Sequence, residues 1–250
     1  MEVMDFTVSV LADRPDLAEA AWGMPDSWPT FMTHDPIASL YYRPEVVERF
    51  ADFTLVCQDE SGSVVGKAHS IPLYVSAGGG LPDDGWDGAV LRGIRDRMTA
   101  VVPNTVCALE IAVTPEMQGH RLSSVLLTGL RENAGRLGFD ELIAPVRPNG
   151  KTDPRESMSS YAAGRRQDGL PADPWLRVHV RAGGTIAGVA PRSMVIPGTL
   201  EDWRTWTGLP FNQSGPVDVP GALAPVLCDA RQGTAVYVEP NVWVRHRTKA

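Results

Sequence analysis

Residues 105 to 146 constrain the fold of this chain more than any other segment. TVCALEIAV, 105–113, is an apolar run of strand-forming residues. A polar turn follows, and then Leu122, Leu126, Leu130, Ala134 and Leu137 recur at helical spacing, which predicts one buried stripe. Gly138 supplies a helix stop. ELIAPV, 141–146, is a short apolar run fit for a buried strand. Strand, helix, strand at this spacing is a βαβ crossover, so the two strands are expected to be parallel.

Around this core the pattern is mixed. Phe6 to Leu11 alternates as a first strand, and DRPDLAEAAWG reads as a helix closing near Gly23. The stretch from Pro25 to Pro36 is rich in turn formers. A helical pattern runs from Ile37 to Phe50, interrupted before Pro44. FTLVCQDESGSVVGKAHSIPLYV holds two β-rich runs around a polar Asp59–Ser63 turn, a hairpin signal. Ser76 to Asp87 reads as loop, Val90 to Met98 as a short helix, and DPWLRVHVRAGG, 173–184, as a short helix ended by glycines. TAVYVEPNVWVRH reads as a pair of strands broken at Pro240. No repeat or linker divides the chain, so residues 1–250 are expected to form one domain, with about 190–250 as a C-terminal extension.

Composition narrows the function. The 250 residues are 43% hydrophobic and 21% charged, ordinary for a globular chain, with a formal net charge of −7. An acidic surface argues against nonspecific nucleic-acid binding, which depends on lysine and arginine meeting phosphates. It leaves room for a small anion held by local positive charge. Cys57, Cys107 and Cys228 form no C-x-x-C pair and suit reduced thiols, and Cys57 and Cys107 read as small core residues. The first residues lack a basic flank followed by a long apolar stretch, so no signal peptide is expected. No segment has the length of a membrane span. A cytoplasmic location follows as an expectation.

The polar turn, PEMQGHRLSSVLL at 115–127, runs straight into a helix start. Such a start offers N–H groups without internal partners and a dipole that favours negative charge. Alone the signal is weak, because many such turns bind only water. In context, LEIAVTPEMQGHRLSSVLL resembles the acyl-coenzyme A binding segment of the GNAT superfamily of N-acetyltransferases. There a strand ends in valine–x–proline–glutamate, and a Q/R-x-x-G-x-G/A loop wraps the coenzyme A diphosphate. Gln118 matches the first loop position and Ser123 the last small one. The family's glycine is Arg121 here, a side chain that either turns outward, meets a phosphate or obstructs the site. DESGSVVG, RLGFDELIAPV and VHVRAGG resemble further family segments, so the likeness spans roughly residues 5–190 and is specific from Ala108 to Val146.

The resemblance implies an α/β fold: a mixed central sheet with a βαβ acyl-coenzyme A binding core and a C-terminal extension. It implies acetyl-coenzyme A, or a related short acyl-coenzyme A, as cosubstrate. The diphosphate would lie on the loop residues Gln118, Gly119, His120, Arg121, Leu122, Ser123 and Ser124. The backbone of Ile111, Ala112 and Val113 would hold the pantetheine arm, between strands 108–113 and 141–146.

Acyl transfer to an amine needs a base, oxyanion donors and a proton for the leaving thiolate. Glu110, flanked by Leu109 and Ile111, is the candidate base, since the family often uses a glutamate in this strand. The alternative is a glutamate on the open face of the sheet. His179 falls on the family's thiolate-protonating tyrosine and is the second candidate, against a plain polar residue on an amphipathic helix. Tyr161 is a weaker donor. Lys151 and Arg155 either meet an acidic acceptor or belong to a solvated loop. Trp203 and Trp206 are either core or the wall of an acceptor pocket or dimer contact. His34, His69 and His246 are scattered and no metal site is expected.

The expected activity is N-acyl transfer to an amine of a small molecule, with a homodimer allowed and neither nucleic acid nor membrane as partner. The alternative is a catalytically inactive acyl-coenzyme A binding or regulatory module. A third reading keeps the coenzyme A site but changes the acyl donor or decarboxylates the thioester.

Overall fold

The βαβ unit expected from residues 105–146 lies at the centre of the computed structural model. β4 (Thr105–Val113) and β5 (Glu141–Val146) are parallel, joined by α5 (Leu122–Arg136). Leu122, Leu126, Leu130 and Ala134 form the buried stripe, with Leu127 beside them. Residues 5–25, 28–76, 78 and 80–249 are described. Asp26 and Ser27, in the expected turn-rich stretch, and Ala77 and Gly79, in the expected 76–87 loop, lie outside the described residues.

The sheet is mixed. β1 (Thr7–Val10), β2 (Thr54–Gln58) and β3 (Val64–Leu73) lead antiparallel to β4. The β2–β3 hairpin closes as the sequence predicts. Asp59 Oδ1 accepts from Ser61 N and Ser63 N, and Gly62 takes a positive φ of 82°. On the far side of β5 lie β9 (Thr234–Arg247), β6 (Thr185–Thr199), β8 (Val226–Asp229) and β7 (Gly215–Val217). β6 runs along one edge of β9. β5 and β8 share the other, β5 opposite 242–247 and β8 opposite 234–236.

Two expectations change here. TAVYVEPNVWVRH is one strand, not two, because Pro240 falls where the β6–β9 register shifts between Ala190 and Met194, so the ladder asks no N–H of it. Residues 190–250 supply β7, β8, β9 and most of β6, with β9 built into the sheet between β5 and β6. The helix expected from Val90 begins earlier, at α4 (Gly85–Met98), because Trp86 N and Asp87 Oδ2 are bound by Ser193 Oγ and Val195 N of β6.

Helices cover both faces. α5, α6 (Met158–Ala163) and α7 (Pro174–Arg181) lie over Val106, Ala108, Leu142 and Val244. α2 (Pro36–Tyr41), α4 and α8 (Leu200–Thr207) lie over Ile71, Cys107, Ile143 and Trp243. The period-two alternation of the strands sends these sets to opposite sides. α1 (Ala18–Trp22) and α3 (Pro44–Val47) complete the N-terminal part. No helix among the described residues is long and apolar enough to cross a membrane.

Close packing of α4 on β3 rests on Gly93, where an added Cβ would meet Ile71 carbons at 2.5 Å and Pro72 O at 3.0 Å. Helix propensity alone favours alanine by about 1 kcal/mol, but overpacking here costs about 1–3 kcal/mol. Gly93→Ala is therefore expected to lower Tm by about 2–6 °C, read by thermal melting; an unchanged or raised Tm means α4 shifts freely on the sheet.

Candidate active site

β4 and β5 pair through Val106–Leu142 and Cys107–Ile143 and then part. The parting follows a bulge in β4: His69 stands opposite Glu110 and Ser70 opposite Ala108, so Leu109 is an extra residue. A bulge bends its strand and increases its twist. The Leu109 carbonyl is held by the Trp86 indole N–H at 2.9 Å. Beyond Cys107, β4 keeps β3 on one side and has no ladder partner on the β5 side. A cavity of about 830 Å³ opens there, lined on its two sides by Ala108 to Val113 and by Ala144, Pro145 and Val146. Ile111, Ala112 and Val113 all lie on this wall.

The turn after β4 supplies the cavity's polar end. Gln118, Gly119, Leu122 and Ser123 line it. Gly119 and Arg121 take positive φ, 84° and 62°, which turns the chain sharply into α5. Arg121 is the N-cap, and no side chain caps the helix. His120 N and Ser124 N are engaged by Met117 O and Arg121 O. The N–H groups of Gly119, Arg121, Leu122 and Ser123 donate to no protein acceptor among the described residues. Gln118 N also donates to Pro115 O, so of the seven predicted loop amides four are open and three are spent internally. The Arg121 and His120 side chains are exposed and do not line the cavity. Arg121 adopts the conformation for which glycine is the usual choice, at a cost of about 1 kcal/mol.

Glu110 projects into the same space. Its side chain is 7% exposed, Oε1 accepts from Trp28 Nε1 at 3.1 Å, and Oε2 has no hydrogen bond. His69 Nε2 lies 3.7 Å from Oε2. Burial pushes His69 down to about 4, with Glu110 opposing, so at neutral pH the imidazole is uncharged and no ion pair forms. The open-face alternative for Glu110 does not hold.

Across the cavity, α7 places Trp175 and His179. Asp173 caps that helix by accepting from Leu176 N. His179 Nδ1 and His246 Nε2 are 3.0 Å apart, and His246 Nδ1 has no partner. Both rings are buried, which pushes His179 down to about 3 and His246 to about 4. His179 therefore reaches the cavity as a neutral imidazole, not as the imidazolium expected of an acid near neutral pH. A further wall comes from Glu239 and Asn241 of β9, where residues 237–241 have no partner on the edge that β5 and β8 share. Glu239 is fully buried and bound by Arg147 Nε, Tyr237 OH and Asn241 Nδ2, each at 2.9 Å.

Several candidates lie elsewhere. Tyr161 donates to Asp173, Lys151 is buried with its ammonium on the Leu223 carbonyl, and Arg155 pairs with Asp218. None of the three lines the cavity, because each ties the 147–173 segment to its neighbours. Trp203 is core, donating to Ala235 O, and Trp206 packs on it. No group of three metal-ligating side chains exists among the described residues. Sequence reasoning missed Trp28, Trp86, Arg147 and Glu239. Glu239 did leave a signal, a charge at an inward parity of an alternating run.

No protein-family model matches the chain. It is 30% identical over 272 residues to the arginine N-acetyltransferase avaD of Aspergillus versicolor, covering 96% of this chain and 93% of that protein. Among solved structures, the loading GNATL domain of CurA from Lyngbya majuscula has a TM-score of 0.60 at 16% identity, covering 99% of each chain. The GphF GNAT-like decarboxylase in complex with isobutyryl-CoA has a TM-score of 0.56 at 18% identity, covering 98% of this chain and 100% of that one. At these identities the two structures share the fold.

Replacing Arg121 by glycine should raise stability by about 1 kcal/mol through relief of the positive φ. The dissociation constant for acetyl-coenzyme A should move less than about threefold, measured by calorimetry. A large loss of affinity would place the guanidinium on the ligand instead. The buried histidines set a pH dependence. Unfolded they titrate near 6.5 and folded near 3 to 4, so the unfolded chain binds more protons in between and stability falls as pH drops from about 6.5. Asp87, pushed up to about 8 by burial, works the other way and offsets part of this. The net expectation is a loss of about 3 kcal/mol between pH 7 and pH 5, read from denaturant midpoints; a flat profile would mean these rings are protonated or hydrated in the fold.

Proposed function

The chain belongs to the GNAT superfamily of acyl-coenzyme A-dependent N-acyltransferases, and from that premise we propose that it transfers an acetyl or other short acyl group to an amine of a small molecule. One observation carries the reading. Open helix-start amides, an unpaired stretch of β4 edge and a buried carboxylate with one unpartnered oxygen all border a single cavity. Each suits one part of the reaction.

The amides of Gly119, Arg121, Leu122 and Ser123 offer a cradle for the diphosphate, with Gln118 at its rim and His120 and Ser124 completing the turn. The backbone of Ile111, Ala112 and Val113 offers hydrogen bonds to the extended pantetheine arm, much as an added strand would. The thioester carbonyl then stands beside Glu110. The amine attacks it, a C–N bond forms and the C–S bond breaks. Glu110 takes the proton that frees the ammonium for attack, and the second proton the nitrogen sheds leaves with the sulfur as the thiol. His179, uncharged, has its Nε2 left to donate a hydrogen bond to the departing sulfur. No enzyme-bound acyl group is required.

The acceptor is a cationic amine. Glu110 lines the cavity with one carboxylate oxygen free of any hydrogen bond, and a positively charged nitrogen would supply its donor, whereas Glu239 is already paired with Arg147. The relative named as an arginine N-acetyltransferase makes arginine the first acceptor to try. The residues 1–250 act here as one catalytic unit, since the β9 wall belongs to the part expected as an extension.

Calorimetry with acetyl-coenzyme A and thiol release across a panel of amines test the proposal together. Absence of donor binding would end it. Binding without turnover on any amine would favour a regulatory module. Glu110→Gln should lower kcat by about 10²–10³-fold and leave donor affinity within about twofold, because glutamine keeps the Trp28 contact but cannot accept the proton. Unchanged turnover at several pH values would clear Glu110 of the base role.

A further inference from the structure

Arg147 leaves β5 one residue after Val146 and lines the cavity, its side chain 18% exposed. Its guanidinium is fixed on several sides. Nε donates to Glu239 Oε2 at 2.9 Å, Nη2 donates to the Gly221 carbonyl, and the Trp28 ring lies 6.0 Å from the guanidinium carbon. Nη1 donates to no protein acceptor among the described residues. Glu239 does not need this arginine for its hydrogen bonds alone, since Tyr237 and Asn241 also serve it.

A largely buried arginine–glutamate pair is weak evidence for stability, because desolvation offsets the attraction. What this pair does provide is orientation. The planar guanidinium is held before any ligand arrives, with one nitrogen unspent, which is the form in which arginine recognises carboxylates. Trp28 ties this group to the proposed base. Its indole N–H meets Glu110 Oε1 at 3.1 Å while its ring face lies against Arg147. A fixed cation over the ring face and a carboxylate with one unpartnered oxygen at the N–H edge therefore meet at one indole, in one cavity.

We propose that Arg147 Nη1 binds a carboxylate of the substrate, and that the acceptor is an α-amino acid whose α-carboxylate sits on Arg147 while its α-amine faces Glu110. The assignment rests on the acyl-transfer reading above. The same carboxylate chemistry has a second source, the free end of a dicarboxylic acyl group on the donor, and the experiment separates the two.

The experiment measures kcat/KM with acetyl-coenzyme A for arginine, arginine methyl ester and agmatine, the decarboxylated counterpart, using the wild type and Arg147→Gln. The wild type should prefer arginine over both analogues by about 100-fold or more, corresponding to about 2.7 kcal/mol of differential binding. Arg147→Gln should bring that ratio to near one, chiefly through KM for arginine. Equal use of arginine and agmatine by the wild type overturns the proposal. So does a ratio that survives the substitution while use of succinyl-coenzyme A falls, which would put the carboxylate on the acyl arm. Should Arg147→Gln fail to fold, the wild-type comparison of acid, ester and agmatine decides alone. Failure of the acyl-transfer reading itself shows separately, as no turnover with any amine.

Discussion

The opening between β4 and β5 depends on the hydrogen bond between the Trp86 indole and the Leu109 carbonyl. Leu109 is the extra residue of β4, and its carbonyl is turned out of the ladder. A buried carbonyl without a partner costs about 1–3 kcal/mol, so the bulge needs an external donor to persist. Trp86 supplies it, and its own backbone N–H is bound to Ser193. Helix α4, strand β4 and strand β6 are thereby locked at one point. Had β4 stayed in register, β4 and β5 could have remained paired to their ends and filled the space with backbone.

The opening is repeated one strand further on. β5 stops at Val146 and β8 begins its pairing only at Val236, so β9 runs unpaired on that edge between them. The two openings flank the end of β5, and the cavity lies where they meet. Loops at the carboxyl ends of parallel strands are where ligands collect in open α/β sheets. Here the reason is visible at the level of single bonds. Backbone groups that a continuous sheet would consume are left over, and the β4 edge and the α5 amides are both such remainders.

Much of this was legible in the sequence. The crossover, its parallel strands and its buried stripe follow from two periodicities and one glycine, all local signals. The open amides of Gly119, Arg121, Leu122 and Ser123 follow from a polar turn before an apolar helix. What was not legible depends on partners far along the chain. Nothing near Pro240 tells that a register shift opposite it removes the need for its N–H. Nothing near Leu109 shows that it is supernumerary, since the count is kept by β3. β6 is rich in proline and glycine, and its bulges absorb what its propensity would forbid. Arg147 and Glu239 lie ninety-two residues apart, and only the sheet brings them together.

The electrostatics sort structural acids from the one that stands apart. Among the buried carboxylates Glu239 is fully bonded, and Asp35 and Asp87 each spend one oxygen on backbone N–H groups, capping α2 and fixing α4 to β6. Those roles account for their presence without a ligand. Glu110 fixes no backbone. It holds only Trp28, and its second oxygen faces a histidine that burial keeps neutral. Asp35, Asp87 and Glu110 each keep one buried oxygen without a partner, and of the three only Glu110 lines the cavity, a local conflict of the kind natural folds tolerate at functional sites. The conflict is removed by a cationic amine in the cavity, which would give Oε2 its donor. On this argument the proposed acceptor is also the missing partner of the fold.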